Sequence, residues 1–249
     1  MRGTKDWTNK TVNFVSGCEN DCRYCYAKGM AIRFKQVEEG EWQNMRVRQH
    51  DVEKKHKNYG EVVMFPSSHD ITPTVINEAI IVLKNLIKAG NQVLVVSKPK
   101  SECIKRICNE FSEYKKDILF RFTIGARNND ILSFWEPGAP TFEERREALR
   151  YAFEKGFATS VSIEPILDMN DVLDLFFEME PYVSDTLWLG KMNHIKKNIK
   201  FDDQEVKRIE QGQSQENCDL VYDLLKDEPK AKFKTGFIKK VVKEERKWN

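Results

Sequence analysis

The stretch Thr11-Val12-Asn13-Phe14-Val15-Ser16-Gly17-Cys18-Glu19-Asn20-Asp21-Cys22-Arg23-Tyr24-Cys25-Tyr26 combines two signals. Its first six residues are mostly β-branched or apolar and read as a strand that Gly17 breaks. The loop that follows carries the spacing CxxxCxxC. Three thiolates on so short a loop can reach three corners of an iron–sulfur cube, and with no fourth cysteine nearby the fourth iron stays open to an outside ligand. The other cysteines, Cys103, Cys108 and Cys218, are scattered, and Cys108 falls with Ile104, Ile107 and Phe111 at helical spacing, as a buried thiol does. The rival reading is a zinc knuckle in a nucleic-acid-binding module, with His50, His56, His69 or His194 as fourth ligand. Structural zinc sites usually pair two CxxC units, and this chain has one.

Outward from this loop, short apolar runs alternate with helical stretches. Strands are expected at 11–16, 61–65, 92–96, 118–124, 158–163 and 186–189. Pro73 after Thr72 starts a helix whose stripe Val75, Ile76, Ala79, Ile80, Leu83, Leu86 and Ile87 ends at Gly90. Thr141 and Glu144 form a capping box behind Pro140, and Leu149, Ala152 and Phe153 continue a buried face to Gly156. The fold class is therefore α/β with a parallel sheet, either an open barrel or a doubly wound sheet, which periodicity alone does not separate. In both, reactive groups belong on loops at the carboxyl ends of strands, where Cys18, Asp70, Lys98, Arg127, Glu164 and Lys191 fall. No internal repeat or Gly/Ser linker divides the chain. One domain over 1–249 is expected, with a core at about 11–195 and a helical, basic extension at 196–249 that holds a helix near 216–226.

Composition narrows the classes. The chain has 249 residues, 40% hydrophobic and 32% charged, with 12 glycines and 8 prolines. Collagenous and wholly disordered readings are excluded, and the length suffices for a full core without disulfides. No apolar run approaches the ~20 residues of a membrane span, and no apolar signal core follows the first residues, so a cytoplasmic protein without membrane contact is expected. Forty-one basic against 39 acidic side chains give a net charge of +2, which neither demands nor excludes a nucleic-acid partner.

The cysteine loop, with aromatic Tyr24 just before its last cysteine, resembles the radical S-adenosylmethionine (SAM) superfamily. A second resemblance, from about Val12 to Asn193, is to the branch containing spore photoproduct lyase and its uncharacterised relatives. It is carried by Ser67-Ser68-His69-Asp70-Ile71-Thr72-Pro73, where other members have Gly-Gly-Glu, by Val95-Val96-Ser97-Lys98, and by Glu136-Pro137-Gly138-Ala139-Pro140 with Glu143-Glu144-Arg145. The resemblance implies a partial (β/α)6 barrel and a [4Fe–4S] cluster on Cys18, Cys22 and Cys25. It implies reductive cleavage of SAM to a 5′-deoxyadenosyl radical that takes hydrogen from a substrate. It also implies an external electron donor such as a flavodoxin or ferredoxin, and an enzyme whose lyase or transferase type is left open; a monomer is expected. By position, Tyr24 belongs to the cofactor site, Ser68, His69 or Asp70 would accept from the SAM ammonium, and Lys98 would pair with its carboxylate, with Thr123 adding a hydrogen bond. Glu164 would bind a ribose hydroxyl or a substrate amine.

Each assignment has a plainer counterpart: turn chemistry for Ser67 and Ser68, helix capping for Asp70, a surface ion pair for Glu164, a solvated loop for Arg127, Lys191 and Asn193. The lyase returns hydrogen to its repaired thymine from a cysteine that falls at about Ser67 here, and a serine O–H is far harder to break homolytically than a thiol S–H. Lys230-Ala231-Lys232-Phe233-Lys234 and Phe237-Ile238-Lys239-Lys240 interleave basic and aromatic residues, so the substrate is left open with nucleic acid among the candidates. The plainer reading of that stretch is a solvated face whose aromatics pack on the core.

Overall fold

The computed structural model describes residues 3–193, 195 and 203–238. In chain order the elements begin with β1 (Lys10–Thr11), β2 (Val15–Ser16), α1 (Tyr26–Arg33), β3 (Arg46–Val47), α2 (Gln49–Glu53) and β4 (Val63–Phe65). They continue through α3 (Ile76–Lys88), β5 (Val93–Ser97), α4 (Ser101–Glu110), β6 (Ile118–Thr123), α5 (Asn129–Trp135), α6 (Phe142–Glu154) and β7 (Ala158–Ile163). The last are α7 (Val172–Met179), β8 (Leu187–Leu189), α8 (Asp203–Gly212), α9 (Gln215–Leu225) and β9 (Ala231–Phe233). Seven strands form one sheet in the order β1-β4-β5-β6-β7-β8-β9, every pair parallel. The order never reverses, so there is no switch point of the doubly wound kind, and the sheet winds one way as a barrel left open between β1 and β9.

Two sequence expectations need correction. The single strand at 11–16 is two: β1 pairs with β4, whereas β2 pairs antiparallel with β3 in a separate ribbon. The break lies at Asn13, whose side chain leaves the ladder to bind the backbone N–H groups of Ser67 and Ser68. The sheet also has a seventh strand, β9, within the stretch read as a helical and basic extension. Phe233 and Phe237 from this stretch pack together at 5.5 Å, and Phe237 is buried, in line with the packing alternative. Lys239 and Lys240 lie outside the described residues.

Helix ends follow their local chemistry. Gly90 and Gly156 take φ of +79° and +80° just past α3 and α6, the left-handed closure that glycine allows at least cost. Thr141 caps α6 by accepting from Glu144 N–H, but the box stays half made, because the Glu144 carboxylate binds Ser101 N–H at the start of α4 instead. Phe153, expected inside, is exposed, while Leu149 and Ala152 are buried.

Alternation along the strands divides the barrel. Phe65, Val95, Phe122 and Ile163 join Leu83, Ile104 and Leu149 of the helices in one continuous apolar core. The inward positions are more polar. Arg121 is buried, donates to Ser160 Oγ at 2.9 Å, pairs with Asp185 at 3.3 Å, and lies over the rings of Trp7 and Trp188. Burial pulls its guanidinium down to about 10. Among the described residues no helix is long and apolar enough to cross a membrane.

If residues 231–237 belong to the core, Phe237→Ala should cost about 3–5 kcal/mol in urea unfolding, as buried Phe-to-Ala changes do. Exposed Phe177→Ala should change stability by less than about 0.5 kcal/mol. Equal stability of the two variants would contradict this placement of the carboxyl-terminal strand.

Candidate active site

The cysteine loop is held from three sides. Gly17 turns at φ +95°, and a Cβ there would meet Trp42 O at 2.7 Å, so the chain passes too close to residues 42–44 for any other side chain. Cys18 N–H then donates to Trp42 O at 2.8 Å. On another side Arg23 N–H donates to Trp135 O and Gly138 N–H to Asn20 O, with Gly138 packed so closely that a Cβ would sit 2.2 Å from Glu19 O. Cys25 is the N-cap of α1, its sulfur accepting from Lys28 N–H at 3.4 Å, and Lys28 Nζ pairs with Asp21 at 2.6 Å. A helix N-terminus favours negative charge on that sulfur.

The third hold is Asp70. It does not cap a helix: the 3₁₀ turn Pro73–Val75 has Thr72 as its N-cap and no side-chain cap bond. Its Oδ1 accepts from Lys98 N–H at 2.6 Å and from Ser97 Oγ at 3.0 Å; its Oδ2 accepts from Asn20 Nδ2 at 2.8 Å, lies 3.7 Å from Lys98 Nζ, and takes the Cys18 thiol at 3.8 Å. Burial pushes this carboxyl up, but the Lys98 ammonium and the hydrogen bonds outweigh burial and leave it below its ordinary range. Asp70 therefore ties the loop after β4 and the end of β5 to the cysteine loop.

One cavity of about 240 Å³ is lined by Cys18, Cys22, Tyr24 and Cys25, by Ser68, His69, Asp70 and Lys98, and by Thr123 and Glu164. Lys191 and Asn193 are on the same lining; Arg127 is not. Arg127 binds Asp171, Asp174 and Glu178, the last two on α7 and Asp171 at its N-cap, an ion-pair network where the plainer expectation is a solvated loop. Glu164 is ion-paired, although buried: Lys234 Nζ lies 3.4 Å from its Oε2, and burial, only partly offset by that lysine, raises its carboxyl.

Other contacts in this surrounding are not legible from local sequence. Tyr24 donates its hydroxyl to Glu136, and Glu136 pairs with Arg145 at 2.6 Å, neither side chain of that pair having any exposure. Thr4 and Trp7 approach the cavity from the amino-terminal turn, and Lys234 lies 4.0 Å over the Trp7 ring. Trp7 with Lys234 and Tyr24 with Glu136 are pairs more than a hundred residues apart, and periodicity does not mark them.

The three thiols are free, and burial raises all of them, Cys18 to about 12 and Cys22 and Cys25 above the ordinary thiol value. Binding of metal as thiolates must therefore release protons. Among the described residues no three His, Cys, Asp or Glu side chains converge as ligands of a single ion. His50 and His56 are off the cavity lining, and His194 lies outside the described residues. Ligands of a cube each take a separate iron, so three free thiols on the lining of one cavity suit a cluster better than a mononuclear zinc. Cys103, Cys108 and Cys218 are buried away from this lining.

His69 makes this part of the fold sensitive to acid. Its Nδ1 is 3.1 Å from Asp70 O, a pure acceptor, so Nδ1 carries the proton; burial pulls the imidazole down to about 4. Above pH 6.5 the folded and unfolded states are both neutral at this residue. As pH falls below 6.5 the unfolded chain takes up a proton that the folded chain refuses until about pH 4. Stability should thus fall across that window by about 3 kcal/mol and level off below it. Urea unfolding of the metal-free protein at pH 7 and pH 4.5 should show this loss, and His69→Gln should remove it; an unchanged pH slope in that variant would contradict the assignment.

The Radical SAM superfamily profile matches residues 12–172, so the chain belongs to the radical SAM superfamily. It is 27% identical over 173 residues to the uncharacterized protein ORF301 of Acidianus two-tailed virus, covering 65% of this chain and 57% of that protein. It is 26% identical over 176 residues to the uncharacterized protein MJ0683 of Methanocaldococcus jannaschii, covering 70% of this chain and 66% of that one. The chain thus spans less than two thirds of these curated relatives. Among solved structures it resembles a spore photoproduct lyase mutant with dinucleoside spore photoproduct, with a TM-score of 0.57 at 15% identity over 90% of this chain and 76% of that one. It also resembles Streptococcus suis SuiB bound to S-adenosylmethionine, with a TM-score of 0.56 at 11% identity over 90% of this chain and 49% of that one. At such identities the likeness concerns the fold.

Proposed function

We propose that the chain is a radical SAM enzyme that holds a [4Fe–4S] cluster through Cys18, Cys22 and Cys25 and binds SAM in the adjoining cavity. When bound, the cluster supplies an electron and an open iron for reductive cleavage of SAM to methionine and a 5′-deoxyadenosyl radical, which takes hydrogen from the substrate. The observation that carries this reading is the meeting, in one cavity, of three free thiols with the polar groups that SAM's amino acid end requires.

The residues divide the work by chemistry. Lys98, a largely covered ammonium on the cavity lining, is assigned the SAM carboxylate, a charge-assisted contact that fixes orientation. His69 is assigned the SAM ammonium, together with the Ser68 hydroxyl. With Nδ1–H committed to Asp70 O, its Nε2 carries a lone pair, and that atom is buried without a protein partner. Asp70 is then the group that holds His69, Lys98 and the cysteine loop in register, more than a ligand contact itself. Thr123 and Glu164 lie at the ends of β6 and β7, where they would meet the rest of the cofactor or the substrate. For a carbon radical, exclusion of water and positioning are the protein's main contributions.

Lesion repair by the lyase's hydrogen-return route does not belong to this reading, because Ser67 offers a hydroxyl that already accepts from Asn13 Nδ2 at 2.9 Å. The test is anaerobic reconstitution with iron and sulfide. Reduced with dithionite in the presence of SAM, the protein should be brown and release 5′-deoxyadenosine. A colourless protein that retains zinc and leaves SAM intact would overturn the proposal.

A further inference from the structure

The loop after β4 presents two open polar groups between two anchored residues. Asp70, at its far end, takes Lys98 N–H and Ser97 Oγ on one oxygen and Asn20 Nδ2 on the other. Ser67, at its near end, is as fully engaged. Its N–H donates to Asn13 Oδ1 at 2.7 Å, its Oγ accepts from Asn13 Nδ2 at 2.9 Å, and its carbonyl accepts from the Tyr26 hydroxyl at 3.0 Å. Between these ends, Ser68 N–H donates to the same Asn13 Oδ1 at 3.0 Å, while its hydroxyl bonds to nothing among the described residues. His69 follows, with Nε2 buried and without a protein partner. Both Ser68 and His69 line the cavity.

The near anchor comes from the interruption of the first strand. The β1–β4 ladder ends at Thr11 opposite Met64, and the irregular backbone beyond it must find other partners. Asn13 supplies one. A single side-chain oxygen takes two successive N–H groups and so fixes the course of the chain through Ser67 and Ser68. Phe14, the next residue, is buried edge-on against the His69 ring, with centroids 4.9 Å apart. The two residues are themselves held, because Arg48 Nη2 donates to Asn13 O at 2.8 Å and Arg48 N–H to Phe14 O at 2.8 Å.

We propose that Asn13 is a positioning residue for SAM: through the backbone of Ser67 and Ser68 it sets the direction in which the Ser68 hydroxyl and His69 Nε2 meet the SAM ammonium. The inference rests on the assignment of those two groups to the ammonium. An ammonium only donates, so its binding depends on where acceptors stand. Loss of Asn13 leaves both acceptors in the chain and removes what aims them.

The test pairs a change in the protein with a change in the ligand. Calorimetry on the metal-free full chain compares SAM with an analogue in which hydrogen replaces the α-amino group, so that iron contributes to neither. Wild type should prefer SAM at least about tenfold, as a hydrogen-bonded charge warrants, and Asn13→Ala should bring the preference below about threefold with the analogue bound as before. Asn13→Asp keeps an acceptor for both N–H groups and should keep the preference. Asn13→Ser, whose shorter side chain cannot take both N–H groups, gives the same comparison if the alanine variant does not fold. In the reconstituted enzyme, Asn13→Ala should load iron as wild type does and raise KM for SAM at least about fivefold with kcat nearly kept, the mark of lost ground-state binding. Amide hydrogen exchange over 66–70 in the metal-free protein should quicken in Asn13→Ala and stay slow in Asn13→Asp. A full preference for SAM in Asn13→Ala overturns the proposal. So does equal weakening of SAM and analogue, which marks a merely structural residue, or unchanged exchange. A wild type that does not distinguish the two ligands overturns the ammonium assignment and the proposal with it; the exchange data then still report whether Asn13 holds the loop, so the two failures are distinguishable.

Discussion

Cys22→Ala should leave the reconstituted protein without its iron and without any capacity to cleave SAM, whereas Cys108→Ala should load iron as wild type does. Both residues are buried thiols of similar polarity, so burial alone predicts the same outcome for the two. They differ in place. Cys22 lies on the cavity wall with Cys18, Cys25 and Lys98, and Cys108 packs in α4 with Ile104 and Ile107. A cube held by three thiolates has no spare protein ligand, and loss of one leaves two irons open. Alanine at 108 removes a small buried group and should cost stability only, about 1–2 kcal/mol. Iron analysis and the cluster's visible absorption after anaerobic reconstitution check both variants; equal iron content would contradict the ligand assignment.

The second large effect concerns stability. Arg145→Met should destabilise the protein by about 3–5 kcal/mol, because it leaves Glu136 fully buried without its cation. Arg145 also donates to Pro140 O at 2.8 Å and Thr123 O at 3.3 Å, so the same change strips two carbonyls at the end of β6. At roughly 2–4 °C per kcal/mol for a chain of this length, Tm should drop on the order of 10 °C. Glu136→Leu/Arg145→Met should recover a large part of the loss, since replacing both members of a buried pair removes the uncompensated charge. Because Glu136 accepts from Tyr24, the single variant should also loosen the cysteine loop and slow cluster loading. Urea unfolding of the three proteins checks the ordering, and a single variant as stable as wild type would contradict it.

Parts of this molecule were legible in the sequence where the cause is local. The helix stripe from Ile76 to Ile87 and the β-branched runs around Val93–Ser97 and Ala158–Ile163 carry their periods within ten residues or so, and the structure has these elements there. The cysteine spacing is equally local. Features decided by distant partners were not legible. Strand β9 is three residues, Ala231–Phe233, amid lysines, and it exists because β8 offers an edge. Asp70 is tied to the cysteine loop by Asn20, fifty residues away, which donates to its Oδ2. Glu164 gains its cation from Lys234, seventy residues on, through a carboxyl-terminal fold that amphipathic patterning does not announce. The strand at 11–16 read as continuous because nothing in its composition shows that Asn13 turns aside to hold the serine loop.

The measurement closest to the central claim is Mössbauer spectroscopy of protein reconstituted with iron-57, before and after addition of SAM. Three protein thiolates with one exposed metal corner predict that a single iron site changes its isomer shift when SAM is added while the other sites stay put. Spectra that do not respond to SAM, or a metal centre fully ligated by the protein, would contradict the account.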